Sequence, residues 1–339
     1  TYVPGWLEFF AAETRQRYGD RLDDLVQEGQ DDVIVVVLST FPAAADMPPG
    51  WADEWACTWN RSPDGVGAVS HGSPLTASWQ GLDRYLETGL PHLGERHDIL
   101  DRVTAARAAN PDRYLMATTY LAVFERLRCL RGAENLMTDL YLHPRELIRL
   151  RDAVAGEFAA QIRGVGARGA DAVLLADDYG TQQAMLISPA HWRSFFRDTY
   201  SRLVDEIHAQ GMHAWFHSCG HVRPIIPDLV DIGFDLLHPL QPSAMDLAEI
   251  ARTFRGQICF GGGIDVQALL PVASPQEVAA GIRRVIDILD GPHGGYVMAP
   301  TNSIMPDTPW ENVVTMFRTA RSYGRQKRSG HAARSRQET

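Results

Sequence analysis

Residues 172–180 read AVLLADDYG and residues 213–221 read HAWFHSCGH. Each opens on a short apolar run and closes on polar residues with a glycine, the pattern of a buried parallel strand running into a turn. Five more runs have the same form: Val33 to Leu38, Tyr114 to Thr119, Phe234 to His238, Gln257 to Gly262 and Gly295 to Ala299. Segments of helical period separate them, so the chain predicts an α/β fold, a single (β/α)8 barrel of the TIM type. Seven runs leave one strand to find. It is expected near Val66 to Ser70, within the Gly-, Pro- and Trp-rich stretch between Phe41 and Leu90.

Working outward, the helices carry their own signals. Pro144 to Arg163 places Leu147, Leu150, Val154 and Phe158 at three-to-four spacing. Ser188-Pro189 followed by His191 to Gln210 offers a helix with Pro just inside its start and Gly211 just past its end. Ser274-Pro275-Gln276-Glu277 opens another, with Val278, Ile282, Val285 and Leu289 as its buried stripe. An open doubly wound sheet would show a glycine-rich phosphate loop after its first strand, where this chain has Ser39-Thr40-Phe41-Pro42. The glycine run Gly261-Gly262-Gly263 comes late and lacks GxGxxG spacing.

Composition agrees with one large domain. With 339 residues, of which 45% are hydrophobic and 22% charged, the chain can bury the core of a barrel over residues 1–324. The basic segment 325–339 has no apolar period and reads as a disordered tail. No apolar run reaches the roughly 18 to 20 residues of a membrane span, and Thr1 to Asp20 carries charges where a signal peptide would be apolar, so a cytoplasmic location is expected. A net charge of −10 disfavours nucleic acid as a partner. Cys57, Cys129, Cys219 and Cys259 form no CxxC pair and predict no disulfide framework.

In a parallel barrel the residues just past each strand converge on one mouth. Asp177, Asp178 and Tyr179 follow one strand and supply acid, base or positioning groups. His217 ends the next, and Cys219, two residues on, points to the same side of an extended segment, so imidazole and thiolate can meet one metal. His221 is in reach for the same reason. Cys259 and His238, on two further strands, are candidates for a third ligand. Phe124, Glu125, Asp265 and Asn302 each follow a different strand and are expected to line the mouth, whereas Cys129 is expected away from it, between helix and barrel. GxSxG, P-loop and HExxH motifs are absent from the sequence.

Five segments in this order resemble the uroporphyrinogen-decarboxylase-like superfamily. They are Asp177 to Gln182, Leu186 to Pro189, His217 to Gly220, Gly261 to Gln267 and Pro306 to Val313, with Phe124-Glu125 and Arg131-Gly132 fitting as well. The resemblance covers about residues 110 to 320. It implies the barrel and two branches of chemistry. Uroporphyrinogen decarboxylases carry an arginine-rich motif after the first strand, and Ser39 to Pro42 has none. The methyltransferase branch carries His-x-Cys-Gly with a distant third Cys on a zinc that activates an acceptor thiol. His217 and Cys219 match the first part. By position the third ligand would fall near Thr301-Asn302, where no cysteine stands, leaving Cys259, His221 or His238 to complete the set.

The resemblance therefore implies zinc-dependent methyl transfer to a thiol or related acceptor. The corrinoid methyl donor would be supplied from outside, on a partner protein or as free cofactor, and homodimers occur among relatives. The alternative is a metal-free decarboxylase or lyase acting on a small carboxylated metabolite, in which Asp178 with His217 or Tyr179 protonates the carbon that carbon dioxide leaves.

Overall fold

The computed structural model describes residues 11–29, 33–41, 47–61, 68–119 and 121–335. Seven strands form one sheet in sequence order: β1 (Val33–Val37), β2 (Tyr114–Thr118), β3 (Ala172–Ala176), β4 (His213–His217), β5 (Leu236–Leu240), β6 (Cys259–Ile264) and β7 (Tyr296–Pro300). Every neighbouring pair is parallel. Helices connect the strands and cover the outside, the architecture of a TIM-type barrel. None of the helices among the described residues is long and apolar enough to cross a membrane.

Side chains alternate across the sheet, because successive residues of a strand point to opposite faces. Val33, Met116, Leu174, Trp215, Leu236 and Val297 pack together inside the barrel. Val36, Leu115, Val173, Leu175, Phe216 and Leu237 face the helices and join the larger outer core. The helices match their sequence signals. Leu147, Leu150, Val154 and Phe158 are buried along Pro144–Gly166. Ser274 and Glu277 form a reciprocal capping box at the start of Pro275–Leu289. The helical path from Pro189 to Ala209 contains one π-helical turn at Arg193–Arg197.

Three expectations are revised. The stretch proposed for an eighth barrel strand lies instead in Ala68–Gly72, which pairs antiparallel with Thr58–Arg61 in a small sheet with Trp51–Ala52; residues 66 and 67 lie outside the described residues. β1 pairs directly with β2, Val33 opposite Tyr114, so no slot exists between them for that segment. β5 and β6 begin two residues later than their apolar runs, because Phe234 and Ile258 are buried in the approach to each strand and apolarity alone does not distinguish a buried turn from a strand. The final helix, Trp310–Ser335, runs into the basic segment read as a tail, of which residues 336–339 lie outside the described residues. Arg, Gln, Lys and Ala are good helix formers, and Lys327 ties this extension to the Asp287 carboxylate and the Ile286 carbonyl, both at 3.0 Å.

The small sheet bears on the site through one buried ion pair. The Asp53 carboxylate accepts the backbone N–H groups of Trp55 at 3.0 Å and Cys57 at 2.9 Å, the Trp59 indole at 3.0 Å and the Arg126 guanidinium at 2.5 Å. Arg126 lies on helix Val123–Arg131, which follows β2, and its guanidinium also sits over the Trp55 ring. Asp53 thus locks the excursion between β1 and β2 onto the first helix at the barrel mouth. Removing one partner of a buried pair strands the other charge. Asp53→Ala is expected to lower the unfolding free energy by about 3–5 kcal/mol in urea titrations. A loss below about 1 kcal/mol, the range of exposed pairs, would contradict this anchoring role.

Candidate active site

The same alternation sorts the residues at the mouth. β3 carries Ala172 and Leu174 inside, so Asp178 continues the inner row while Asp177 and Tyr179 continue the outer one. Along β4, Trp215 is inside and His217 and Cys219 follow on the same face. His217 Nε2 lies 3.5 Å from Cys219 Sγ and 3.6 Å from Asp178 Oδ1, and the three donors fall within 4.8 Å of one another. Among the described residues this is the one group of three His, Cys, Asp or Glu side chains able to hold a metal ion. Tetrahedral zinc with bonds of about 2.0–2.3 Å separates its ligands by roughly 3.3–3.6 Å, so the residues fit such an ion. Asp178 Oδ1 also accepts the Cys219 backbone N–H at 2.8 Å, and the Asn302 amide donates to Cys219 Sγ at 3.6 Å. Burial and the neighbouring Asp178 carboxylate hold the Cys219 thiol above its ordinary range, and burial holds His217 below its own.

Two glycines permit this convergence. A β-carbon on Gly180 would stand 2.5 Å from the Cys219 carbonyl oxygen, and one on Gly220 would stand 2.5 Å from the Gly180 carbonyl carbon. Gly220 also has a φ of +81°, in the left-handed region. The loops after β3 and β4 therefore touch backbone to backbone, closed by the His221 N–H donating to the Thr181 carbonyl at 2.7 Å.

The outer-row residues build the support. Asp177 is fully buried and accepts the backbone N–H groups of Phe124 at 2.9 Å and Glu125 at 2.7 Å, capping helix Val123–Arg131. The Tyr200 hydroxyl donates to the same carboxylate, and the Tyr179 hydroxyl lies 2.8 Å from that of Tyr200. Burial pushes Asp177 up to about 7 against the pull of these hydrogen bonds. Phe124 stacks on Tyr179 with ring centroids 4.4 Å apart, in the outer core.

Within the mouth lies a cavity of about 340 Å³. Val35, Met116, Leu121 and Leu174 form its apolar wall, and Glu125, Arg128, Asp178, His217, Cys219 and Asn302 its polar one. Glu125 Oε2 pairs with Arg128 at 2.6 Å, while Oε1 is buried with no hydrogen-bond partner among the described residues. Burial, reinforced by Asp177 and Asp178 and opposed by Arg128, pushes Glu125 up to about 8.

Several expected positions are corrected. Cys259 is level with Leu236 and Trp215, one inner layer below His217, so about 6.6 Å of strand rise separates it from the donor group. His238 stands behind His217, Nδ1 to Nδ1 at 2.9 Å, and His221 Nδ1 turns to the Ala244 carbonyl at 2.9 Å. Phe124, Asp177 and Tyr179 are on the helix side of the sheet, not in the cavity. Asp265 lines a different, open depression with Pro242 and Leu269, and its carboxylate caps the Gln267 and Ala268 N–H groups at 2.7 and 3.0 Å. Cys129, by contrast, is where it was expected, buried in the outer core and away from the cavity. Sequence reading missed Arg128, Met116, Thr118 and Ser303 as lining residues. Strand parity from the buried run could have found Met116 and Thr118, and helical spacing from Glu125 could have found Arg128.

Residues 70–323 match the sequence model of the family described as Uroporphyrinogen decarboxylase (URO-D). No curated protein matches the sequence. Among solved structures, a methyltransferase from Methanosarcina mazei superposes with a TM-score of 0.68 at 17% identity, over 95% of this chain and 91% of that one. A B12-independent methionine synthase from Shewanella sp. W3-18-1, in complex with selenomethionine, gives 0.56 at 10% identity over 91% and 90%. At such identities the likeness establishes a shared fold.

The raised Glu125 value has a consequence for stability. A carboxyl that titrates higher in the folded state binds its proton on folding, so its contribution is complete below about 4.5 and is lost as pH rises through about 8. Wild-type unfolding free energy should therefore fall between pH 6 and 8, with up to about 1.4 kcal/mol per pH unit due to this group. Glu125→Gln, neutral throughout, should flatten that slope in urea titrations; an unchanged slope would show that Glu125 is already ionised at pH 6.

Proposed function

The chain belongs to the uroporphyrinogen decarboxylase family, and we propose that within it this protein is a zinc-dependent methyltransferase acting on a thiol or related acceptor. The observation that carries this reading is the convergence of Asp178, His217 and Cys219 at one side of the cavity. These three residues would hold the ion and leave a fourth position open to the cavity. There the metal would supply Lewis acidity, lowering the pKa of an acceptor thiol so that it is nucleophilic at neutral pH. The protein's own groups do the rest. The Asp178 carboxylate holds the Cys219 N–H and so sets the loop that carries the sulfur. The Asn302 amide steadies that sulfur from the other side. The apolar wall keeps water from the acceptor, and Glu125 and Arg128 offer the polar contacts that orient a small substrate. The methyl donor is taken to come from outside the chain, as a corrinoid or its carrier protein.

Asp178 takes the place that sequence reading left to Cys259, His221 or His238. The set is thereby one nitrogen, one sulfur and one oxygen, and Asn302 stands beside Cys219 where the resemblance implies a third ligand.

One observation favours the metal-free alternative. Glu125 is a cavity carboxyl that holds its proton near neutrality. In a decarboxylation the bond to the carboxylate would break, its electron pair would stay on the substrate carbon, and that carbon would take the Glu125 proton as carbon dioxide leaves.

Metal analysis separates the two. The purified protein, reconstituted with zinc and desalted, should hold roughly one ion per chain. His217→Ala and Cys219→Ala should abolish retention, and Asp178→Asn should weaken it. Absence of zinc from the wild type, or full turnover after exhaustive chelation, would reject the methyltransferase reading in favour of the lyase.

A further inference from the structure

We infer that Glu125 and Arg128 form an oxyanion subsite, in which the Glu125 Oε1–H and the Arg128 guanidinium together take a carboxylate on the substrate. The inference deepens the functional reading by naming a substrate class. It rests on the cavity being the substrate's place, which the methyltransferase and lyase readings share, and not on zinc.

Both residues stand on helix Val123–Arg131, three positions apart and therefore on one face, and both line the cavity. Their burial differs. The Glu125 side chain is 7% exposed and that of Arg128 42%, so the guanidinium is the open member of the pair. Its ion-pair partner among the described residues is Glu125 Oε2, at 2.6 Å. A guanidinium can only donate, so Oε2 serves there as an acceptor. Oε1 is buried and has no hydrogen-bond partner among the described residues.

A buried carboxylate needs several donors to remain ionised. Asp177, which caps the same helix, has three: the Phe124 and Glu125 backbone N–H groups and the Tyr200 hydroxyl. Glu125 has one cation against one oxygen. The oxygen left bare is the one that carries a proton, and burial holds this carboxyl up in the same direction. Oε1–H is then a donor without an acceptor among the described residues. Arg128, beside a neutral acid, is a cation without a counter-charge among them. A carboxylate meets both needs at once, one oxygen on Oε1–H and the other on the guanidinium, whose planar donor fork matches it. An ammonium group would meet a like charge and a second donor. The apolar wall of Val35, Met116, Leu121 and Leu174 suits an uncharged body for the rest of such a substrate.

The test is calorimetric binding of three molecules of one shape: benzoate, benzamide and benzamidinium. The full chain is titrated after exhaustive chelation, so that no metal competes for the carboxylate. Wild type should bind benzoate about 10-fold or more tightly than benzamide, with benzamidinium weakest. Arg128→Met should bring benzoate down to the affinity of benzamide. Glu125→Gln should keep benzoate within a few-fold of wild type, because Arg128 holds the amide oxygen and leaves the amide N–H groups where Oε1–H stood. A wild type with no preference for benzoate, absence of binding included, overturns the inference, as does one that favours benzamidinium. Loss of benzoate binding in Glu125→Gln also overturns it, since that loss marks a carboxylate that accepts from its ligand. The wild-type order needs no variant. Failure of the protein to retain zinc rejects the metal reading alone, because the chelated chain still reports the order of the three probes.

Discussion

The candidate site depends on one close approach, the passage of the backbone at Gly180 against the backbone at Gly220. Strands β3 and β4 are adjacent and in register, Ala176 opposite His217, so the loops that leave them would collide if either carried a side chain at that point. With both positions bare, the Thr181 carbonyl reaches the His221 N–H and the Asp178 carboxylate reaches the Cys219 N–H. A donor from one strand is thereby held against two donors from its neighbour. The Asp-Asp-Tyr-Gly and His-x-Cys-Gly patterns are two halves of that single contact.

From this contact the support spreads outward in both directions. On the helix side, Asp177 caps the helix that brings Glu125 and Arg128 to the cavity, and the Tyr200 and Tyr179 hydroxyls back that carboxylate. On the same helix, Arg126 is pinned by Asp53, which lies between two strands of the small antiparallel sheet. On the barrel side, His238 stands behind His217, Nδ1 to Nδ1 at 2.9 Å. The helix that carries Glu125 and the ring of His217 are thus each held by a buried group behind them. The two aspartates illustrate the division: of two consecutive residues, Asp178 puts its carboxylate in the cavity and Asp177 is locked into the scaffold.

The cavity joins an apolar wall to a compact polar corner. Such a pocket suits a small molecule whose reacting group sits among a few fixed donors while its body displaces water. Among the described residues, Glu125 Oε1 is a buried oxygen in that wall with no hydrogen-bond partner, and a ligand atom is the natural complement to it.

Seven strands, their order, and the starts of the main helices follow from local chemistry: apolar runs closed by turn residues, Pro inside helix starts and a capping box at Ser274. The pairing of His217 with Cys219 is local too, since two residues apart on an extended segment means one face. Which carboxylate joins them is not local. Asp177 and Asp178 are equivalent as composition, and only the parity of β3 against the barrel interior sends one in and the other out. Cys259 and His238 both looked eligible as ligands because chemical type is written in the chain and height in the barrel is not. Register between strands places Cys259 a layer too low and sets His238 beside the His217 Nδ1 atom, away from Cys219 and Asp178. The chain by itself determined the barrel and the kinds of group at its mouth; the tertiary structure alone decided which of them meet, because side chains from different strands are brought within bonding distance by strand register and loop contact, neither of which has a signature in any one segment.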